Sequence, residues 1–359
     1  MTERTLLRPT GFVDAPFGHD GKVARLAGGL TFFAAVELLH VESNRRVAAE
    51  LLPVEGVEDR FDDGMATQWS ALTAPRQQLT LGSRTVRVDQ PQVIGILNVT
   101  PDSFSDGGQF LEPGPAVEAG VRMAGEGAAI LDVGGESTRP GAQQVWAQDE
   151  IARIQPVVER LAASGAAVSV DTRKSEVMSA ALGAGATLVN DVSALTFDPR
   201  SAEIIAAAAV PVVLMHHHGE PETMQQDPRY DDVLVEIYLW LEQRIAAAEA
   251  AGIARSNILI DPGFGFGKTV AHNLELMNGL ALFHSLGCPI VVGASRKRTI
   301  GALSNEAPAD QRLAGSIAFA LKAVEQGAQI VRVHDVPETV QALRVWRGLR
   351  DQALTPRLV

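Results

Sequence analysis

The stretch Val93-Ile94-Gly95-Ile96-Leu97-Asn98-Val99-Thr100-Pro101-Asp102-Ser103-Phe104-Ser105-Asp106-Gly107-Gly108 sets the terms for the rest of the chain. It begins as an apolar, β-branched run, the pattern of a strand buried on both faces. At Pro101 it breaks into a loop dense in Asp, Ser and Gly, residue types that do not build a core. A buried strand therefore carries an amide, Asn98, and a polar loop to one end of a sheet. The same pattern recurs downstream, so strands are expected at 93–99, 129–133, 167–170, 187–192, 212–215, 258–260, 290–293 and 330–333. Helical patterns rich in Ala, Leu, Glu and Arg separate them, near 115–126, 149–163, 174–184, 200–208, 230–251, 271–286, 309–326 and 337–348. Eight βα units predict an α/β fold, a (β/α)8 TIM barrel of parallel strands, for which about 250 residues is typical. A doubly wound open sheet is the alternative, but it does not need eight regular units.

Residues N-terminal to this array are less readable. Thr85-Val86-Arg87-Val88 and Leu79-Thr80-Leu81 flank Gly82-Ser83-Arg84, which reads as a hairpin placed to close the bottom of the barrel. The run from Leu26 to Leu39 fits either strand-turn-strand or a helix, and the polar segment 55–64 reads as an exposed connection. The expected division is an accessory or oligomerisation subdomain of unassigned fold over residues 1–77 and a barrel over 78–359.

Composition narrows the function classes. The 359 residues are 46% hydrophobic and 21% charged, an ordinary balance with material for a sizeable core. A formal net charge of −12 argues against a general nucleic-acid binder, which would be repelled by phosphate backbones. A single cysteine, Cys288, rules out an intramolecular disulfide and points to a reducing compartment. No apolar run approaches the about 20 residues that span a bilayer, and the first residues lack a signal peptide's apolar segment. A cytoplasmic protein with no membrane partner is the expectation.

In a barrel of this type chemistry belongs at the C-terminal ends of the strands, and here nearly every one ends in a polar group. In order they supply Asn98, Asp132, Asp171, Asn190, a His216-His217-His218 run, Asp261, Lys297, and Arg332 with His334. Carboxylates and an amide in a barrel mouth suit a nitrogen-rich heterocycle offering several N–H donors. Arg332 and His334 lie two apart on a strand, so both face one side and can clamp phosphate oxygens. Asn98 is a neutral oxygen donor suited to Mg²⁺ accompanying a diphosphate. The set points to a diphosphate leaving group and an aromatic heterocycle, without saying which.

Two segments, residues 98–108 quoted above and Gly134-Gly135-Glu136-Ser137-Thr138-Arg139-Pro140-Gly141, resemble the signature loops of dihydropteroate synthase. Asp261-Pro262-Gly263-Phe264-Gly265-Phe266-Gly267-Lys268, Ser295-Arg296-Lys297 and Arg332-Val333-His334 are similar to its later motifs, in the same order, and the resemblance covers about residues 78–349. It implies joining of 6-hydroxymethyl-7,8-dihydropterin diphosphate to p-aminobenzoate, with release of pyrophosphate and a carbocation-like pterin intermediate. It further implies that Asp171, Asn190, Asp261 and Lys297 line a pterin pocket with Asp132 nearby. Asn98, Arg332 and His334 would hold Mg²⁺-pyrophosphate, while Phe104, Thr138, Arg139 and Pro140 would form the p-aminobenzoate site on two loops. Asp171, Asp261, Lys297, Arg332 and His334 would carry the catalysis. A homodimer and sensitivity to sulfonamides are implied as well. One departure from the family pattern is Arg298, where many members have a Ser that helps hold the p-aminobenzoate carboxylate.

Plainer readings compete at several positions. Adjacent strand residues point to opposite faces, so the three histidines do not converge on one ion. Residues 263–269 fail the phosphate-loop spacing because Pro262 stands where Gly is needed. Arg173 and Lys174 read as solvated residues opening a helix, and Cys288 as an inert core thiol. Among rival functions, a methyltransferase module binding a related pterin would have no use for a pyrophosphate clamp. A degenerate paralogue acting as a scaffold would be expected to have lost loop or clamp residues, and none is lost.

Overall fold

The computed structural model describes residues 3–100, 113–136, 145–219 and 224–355. An antiparallel sheet comes first: β1 (Arg4–Val13), β2 (Ala24–Arg25), β3 (Phe32–Glu42) and β4 (Arg45–Pro53), with β3 pairing all three others. The ambiguous run from Leu26 to Leu39 is thus not a helix but a turn over 26–31 leading into β3, and the strand before that turn, β2, ends at Arg25. Ala27 and Gly28 take left-handed backbone at the turn (φ 51° and 68°), and a Cβ on Gly28 would meet Pro75 Cα at 2.7 Å. Registers Leu6↔Leu39 and Leu7↔Leu38 set neighbouring residues on opposite faces. Leu6, Leu39 and Val41 join the barrel's core, whereas Leu7, Val36 and Leu38 pack with Leu72, Met65 and Trp69 of the helix Asp63–Thr73. Gln68 clasps the first strand to that helix, accepting from Leu7 N at 3.0 Å and donating to Thr5 O at 2.8 Å. The segment read as an exposed connection holds a 3₁₀ turn, Val57–Arg60, and Asp62, whose carboxylate caps the helix by accepting from Met65 N at 2.7 Å.

The hairpin follows as β5 (Leu79–Leu81) and β6 (Arg84–Val86), and then the parallel strands β7 (Gln92–Asn98), β8 (Ile130–Gly134), β9 (Val168–Asp171), β10 (Leu188–Asp191), β11 (Val212–Met215), β12 (Ile258–Asp261), β13 (Val291–Val292) and β14 (Ile330–Val333). Their order is β12-β11-β10-β9-β8-β7-β14-β13, and a parallel bridge from Ile260 to Ile290 closes the ring. Every residue of β8 through β12 is buried, as strands covered on both faces require. β13 is shorter than expected. Pro289, just before it, lacks an N–H, and the chain leaves the ladder after Val292. Leu79, Leu81, Val86 and Val88 of the hairpin segment pack with Ile94, Ile130, Ala167, Leu188, Val213, Leu259, Val291 and Ile330, one residue from each strand or its threshold. The bottom of the barrel is therefore plugged by aliphatic side chains.

Two helices depart from the expected bounds. The pattern read as 271–286 is an α-helix, Val270–Asn278, followed by a fully buried 3₁₀ segment, Leu280–Leu286. The break falls at Gly279, where a Cβ would approach Leu234 Cδ1 to 2.6 Å. The pattern read as 309–326 becomes the helix Leu313–Glu325, with a separate short helix, Arg298–Leu303, after β13. Polar ties hold the N-terminal sheet to the barrel. Arg4 forks onto Glu242 at 2.6 and 2.8 Å, Arg46 N donates to Asp232, and Arg76 donates to His284 O at 2.8 Å. Cys288 is buried, and burial pushes its thiol up to about 11. No helix among the described residues is long and apolar enough to cross a membrane.

Candidate active site

Because side chains alternate along a strand, the residues two places beyond the plug point into the barrel one layer higher. Asp132, Asn190, Asp261 and Arg332 occupy that layer, and Asp171 stands at the end of β9, paired with Asn190 of β10. The structure brings these five together. Asn190 Nδ2 donates to Asp132 Oδ2 at 3.0 Å. Arg332 bridges the two acids, with Nε 2.5 Å from Asp132 Oδ2 and Nη2 2.6 Å from Asp171 Oδ2. The second oxygens, Asp132 Oδ1 and Asp171 Oδ1, are buried and have no hydrogen-bond partner. A buried acceptor left so costs about 1–3 kcal/mol. These atoms are the acceptors a ligand with N–H groups would satisfy.

Electrostatics follow from this crowding. Burial raises Asp171 to about 7, with Asp132 adding to the rise and Arg332 opposing it. Burial also raises Asp261, against the Gly263 N–H, which donates to Oδ1 at 2.7 Å, and the cations Lys297 and Arg332. For Arg332 burial acts downward, but the charges of Asp132 and Asp171 outweigh it and raise the guanidinium further.

Lys297 places its ammonium 4.0 Å from the centroid of the Phe266 ring, a cation–π distance. His334 leans on Ser295, whose Oγ is 3.1 Å from Nδ1 and accepts the His334 N–H at 3.2 Å. Burial, followed by the cations Arg332 and Arg296, lowers His334 to about 3; an anion bound beside it would act in the opposite direction. Arg296, in left-handed backbone at φ 57°, forks onto Asp335, with one contact at 3.0 Å. Asn98 ends β7, half-buried, opposite Gly134 of β8. Phe104, Thr138, Arg139 and Pro140 lie outside the described residues.

One sequence expectation fails here. Lys174, read as solvated, is buried: its Nζ donates to Glu136 at 2.9 Å and to Glu150 at 2.5 Å. Arg173 is also covered, its guanidinium stacked 4.1 Å from the Phe197 ring centroid. The reason is charge. Glu150, with no exposed surface, and the nearly buried Glu136 need a cation, and the residues after β9 supply it. Glu136 also accepts the Val145 N–H at 3.0 Å, joining the two ends of the segment that contains Thr138, Arg139 and Pro140. His216 is buried against Lys268, His217 is half-buried and His218 is exposed, so the run does not present one face.

The site is thus a barrel mouth whose inner layer offers buried carboxylate acceptors, with Lys297 held beside it, and similarity to known proteins assigns it to the class of pterin-binding enzymes. The family model described as "Pterin binding enzyme" matches residues 94–334. Dihydropteroate synthase of Escherichia coli strain K12 is 49% identical over 259 residues, 72% of this chain and 91% of that protein. Among solved structures, Xanthomonas albilineans dihydropteroate synthase in complex with 7,8-dihydropteroate superposes with a TM-score of 0.70 at 47% identity, covering 78% of this chain and 100% of that one. The Yersinia pestis dihydropteroate synthase in a sulfonamide drug complex does so with a TM-score of 0.73 at 46% identity, over 77% and 100% of the two chains. The chain belongs to the dihydropteroate synthase family.

Proposed function

We propose that this chain condenses 6-hydroxymethyl-7,8-dihydropterin diphosphate with p-aminobenzoate to give 7,8-dihydropteroate and pyrophosphate. The observation that carries the division of labour is the pair of buried, unpartnered oxygens on Asp132 and Asp171 beside Asn190. A pterin ring supplies the N–H donors they lack, and Asp261 and Lys297 complete the pocket around it. The C–O bond to the diphosphate breaks with its electron pair leaving on the phosphate oxygen, and positive charge spreads from the methylene into the ring. Asp171 and Asp261, fixed and shielded from water, stabilise that charge. Arg332, bonded to both Asp132 and Asp171, lies two residues before His334 on one strand face, so the pair can serve both the ring and the leaving group. The aniline nitrogen then forms the new C–N bond and loses a proton. No enzyme nucleophile takes part.

Mg²⁺ fits the site as an ion held mainly by substrate. Asn98 offers one oxygen at the mouth, and no cluster of three His, Cys, Asp or Glu ligands occurs among the described residues. A bound Mg²⁺ commonly keeps waters and takes its remaining ligands from phosphates; it would draw charge from the departing diphosphate. Phe104, Thr138, Arg139 and Pro140 are assigned to the p-aminobenzoate site on the family pattern, with Arg298 close to Lys297 in sequence. A homodimeric, cytoplasmic enzyme belongs to the same reading. Pyrophosphate release from dihydropterin diphosphate and Mg²⁺ should require p-aminobenzoate. Tight pterin binding without release would instead make the chain a binding protein.

A further inference from the structure

Lys268 has no part in the chemistry above, yet it is 3% exposed and sits at the centre of a tightly held turn. Its Nζ lies 2.9 Å from His216 Nδ1 and donates to Gly263 O at 2.8 Å and to Phe266 O at 3.1 Å. One amine thus ties the end of β11 to two points of the turn after β12. Burial holds His216 well below the ordinary imidazole range, so its neutral ring can accept from the amine.

The rest of the turn is pinned at nearly every peptide. Gly265 N donates to Asn273 Oδ1 at 2.8 Å, Gln225 Nε2 donates to Gly265 O at 2.5 Å, and the Tyr230 hydroxyl donates to Gly267 O at 2.9 Å. Gly263, Gly265 and Gly267 all take positive φ, at 72°, 79° and 63°. A Cβ on Gly263 would fall 1.8 Å from His216 O, so the two chain segments touch backbone to backbone.

What this construction positions is a shelf for Lys297. The Phe266 ring lies under its ammonium, and a Cβ on Gly265 would stand 3.3 Å from its Cδ. Phe266 supplies both the ring beneath Lys297 and one of the carbonyls that Lys268 holds. A buried amine is expensive to desolvate, and an apolar side chain could fill the same space at lower cost. The amine's three-point geometry is what an apolar residue could not reproduce.

We propose that Lys268 is a positioning residue, which fixes the Phe266 shelf and through it the side chain of Lys297 at the pterin end of the site. The inference rests on the reading of Lys297 as a pterin-pocket residue. Full-length Lys268→Met, Lys297→Ala and the double variant test it by KM and kcat for dihydropterin diphosphate, alongside Tm. Lys268→Met is expected to raise that KM about tenfold with kcat changed less, and to add less than about twofold to the kcat/KM loss in the Lys297→Ala background. Loss of active enzyme with KM unchanged, or effects that multiply in the double variant, would overturn the proposal. If Lys268→Met does not fold, Lys268→Gln, which keeps donors on a shorter stem, decides by the same KM shift and the same cycle. A Lys297→Ala enzyme with unaltered kcat/KM would remove the reading of Lys297 itself, and that outcome is visible without any Lys268 variant.

Discussion

The two ends of the barrel are built from the same strands and differ by one pleat. On β8 the inward residues run Ile130 then Asp132, on β10 Leu188 then Asn190, on β12 Leu259 then Asp261, and on β14 Ile330 then Arg332. A step of two residues, about 7 Å, takes the interior from an aliphatic plug, sealed by the hairpin, to a layer of charge. The plug satisfies itself, whereas the upper layer leaves Asp132 Oδ1 and Asp171 Oδ1 without partners. The lower layer is thus a closed apolar core, and the upper one, with its unpartnered acceptors, is where the proposed function puts the ligand.

Mutations should separate the two layers. Asp171→Asn is expected to lower kcat by about 10²- to 10³-fold through loss of fixed charge at the pterin, with no loss of Tm. A parallel fall in Tm would show that the mouth also holds the fold. Leu81→Ala should act in the opposite sense, costing about 2–5 kcal/mol in unfolding free energy as a buried cavity, while kcat per folded molecule stays at the wild-type value. Denaturant titration with active-site normalisation would read both.

A third test uses pH. Asp171 titrates higher in the folded chain, at about 7, than an exposed carboxyl. The folded state therefore holds the extra proton between the unfolded value of about 4 and 7. The stability it contributes is full below that window and is lost as pH rises through 7. Wild-type stability should fall more steeply than that of Asp171→Asn across this range, and equal slopes in the two proteins would place the proton elsewhere. On the proposed role, in which Asp171 acts as the carboxylate, kcat/KM is expected to show a rising limb over the same interval. Smaller still, Arg298→Ala should raise the p-aminobenzoate KM about two- to threefold if this cation assists the carboxylate, and an unchanged KM would assign that task to backbone. Competition by a sulfonamide against p-aminobenzoate provides the control for the loop assignment.

The layered contrast explains what the sequence disclosed. Strands buried on both faces read as apolar runs, and the polar residue that ended each run marked the mouth, so Asp132, Asp171, Asn190, Asp261 and Arg332 could be listed from the sequence as neighbours, which the structure shows them to be. Lys174 was misread because a lysine after a strand is ordinarily solvated. Its true partner Glu150 lies on another helix and carries no local sign of burial. Lys268 and His216 were legible as residues but not as a pair, since their contact joins two different βα units. β3 resisted assignment for another reason. Apolar side chains are needed on both its faces, so Phe32-Phe33-Ala34-Ala35-Val36 shows no alternation to distinguish strand from helix.

The way the N-terminal sheet meets the barrel bears on how the protein can be handled. Leu6, Leu39 and Val41 belong to the same apolar cluster as Leu234, Leu241 and Phe283 of the barrel. Asp232, which caps the helix Val233–Ala250, also accepts from Arg46 of the sheet. A barrel cut free near residue 78 would carry an oily flank into water. Its colloidal behaviour, and not its chemistry, would then limit it: such a fragment should clump as its concentration rises, and a detergent or a grafted polar surface would be needed to keep it dispersed.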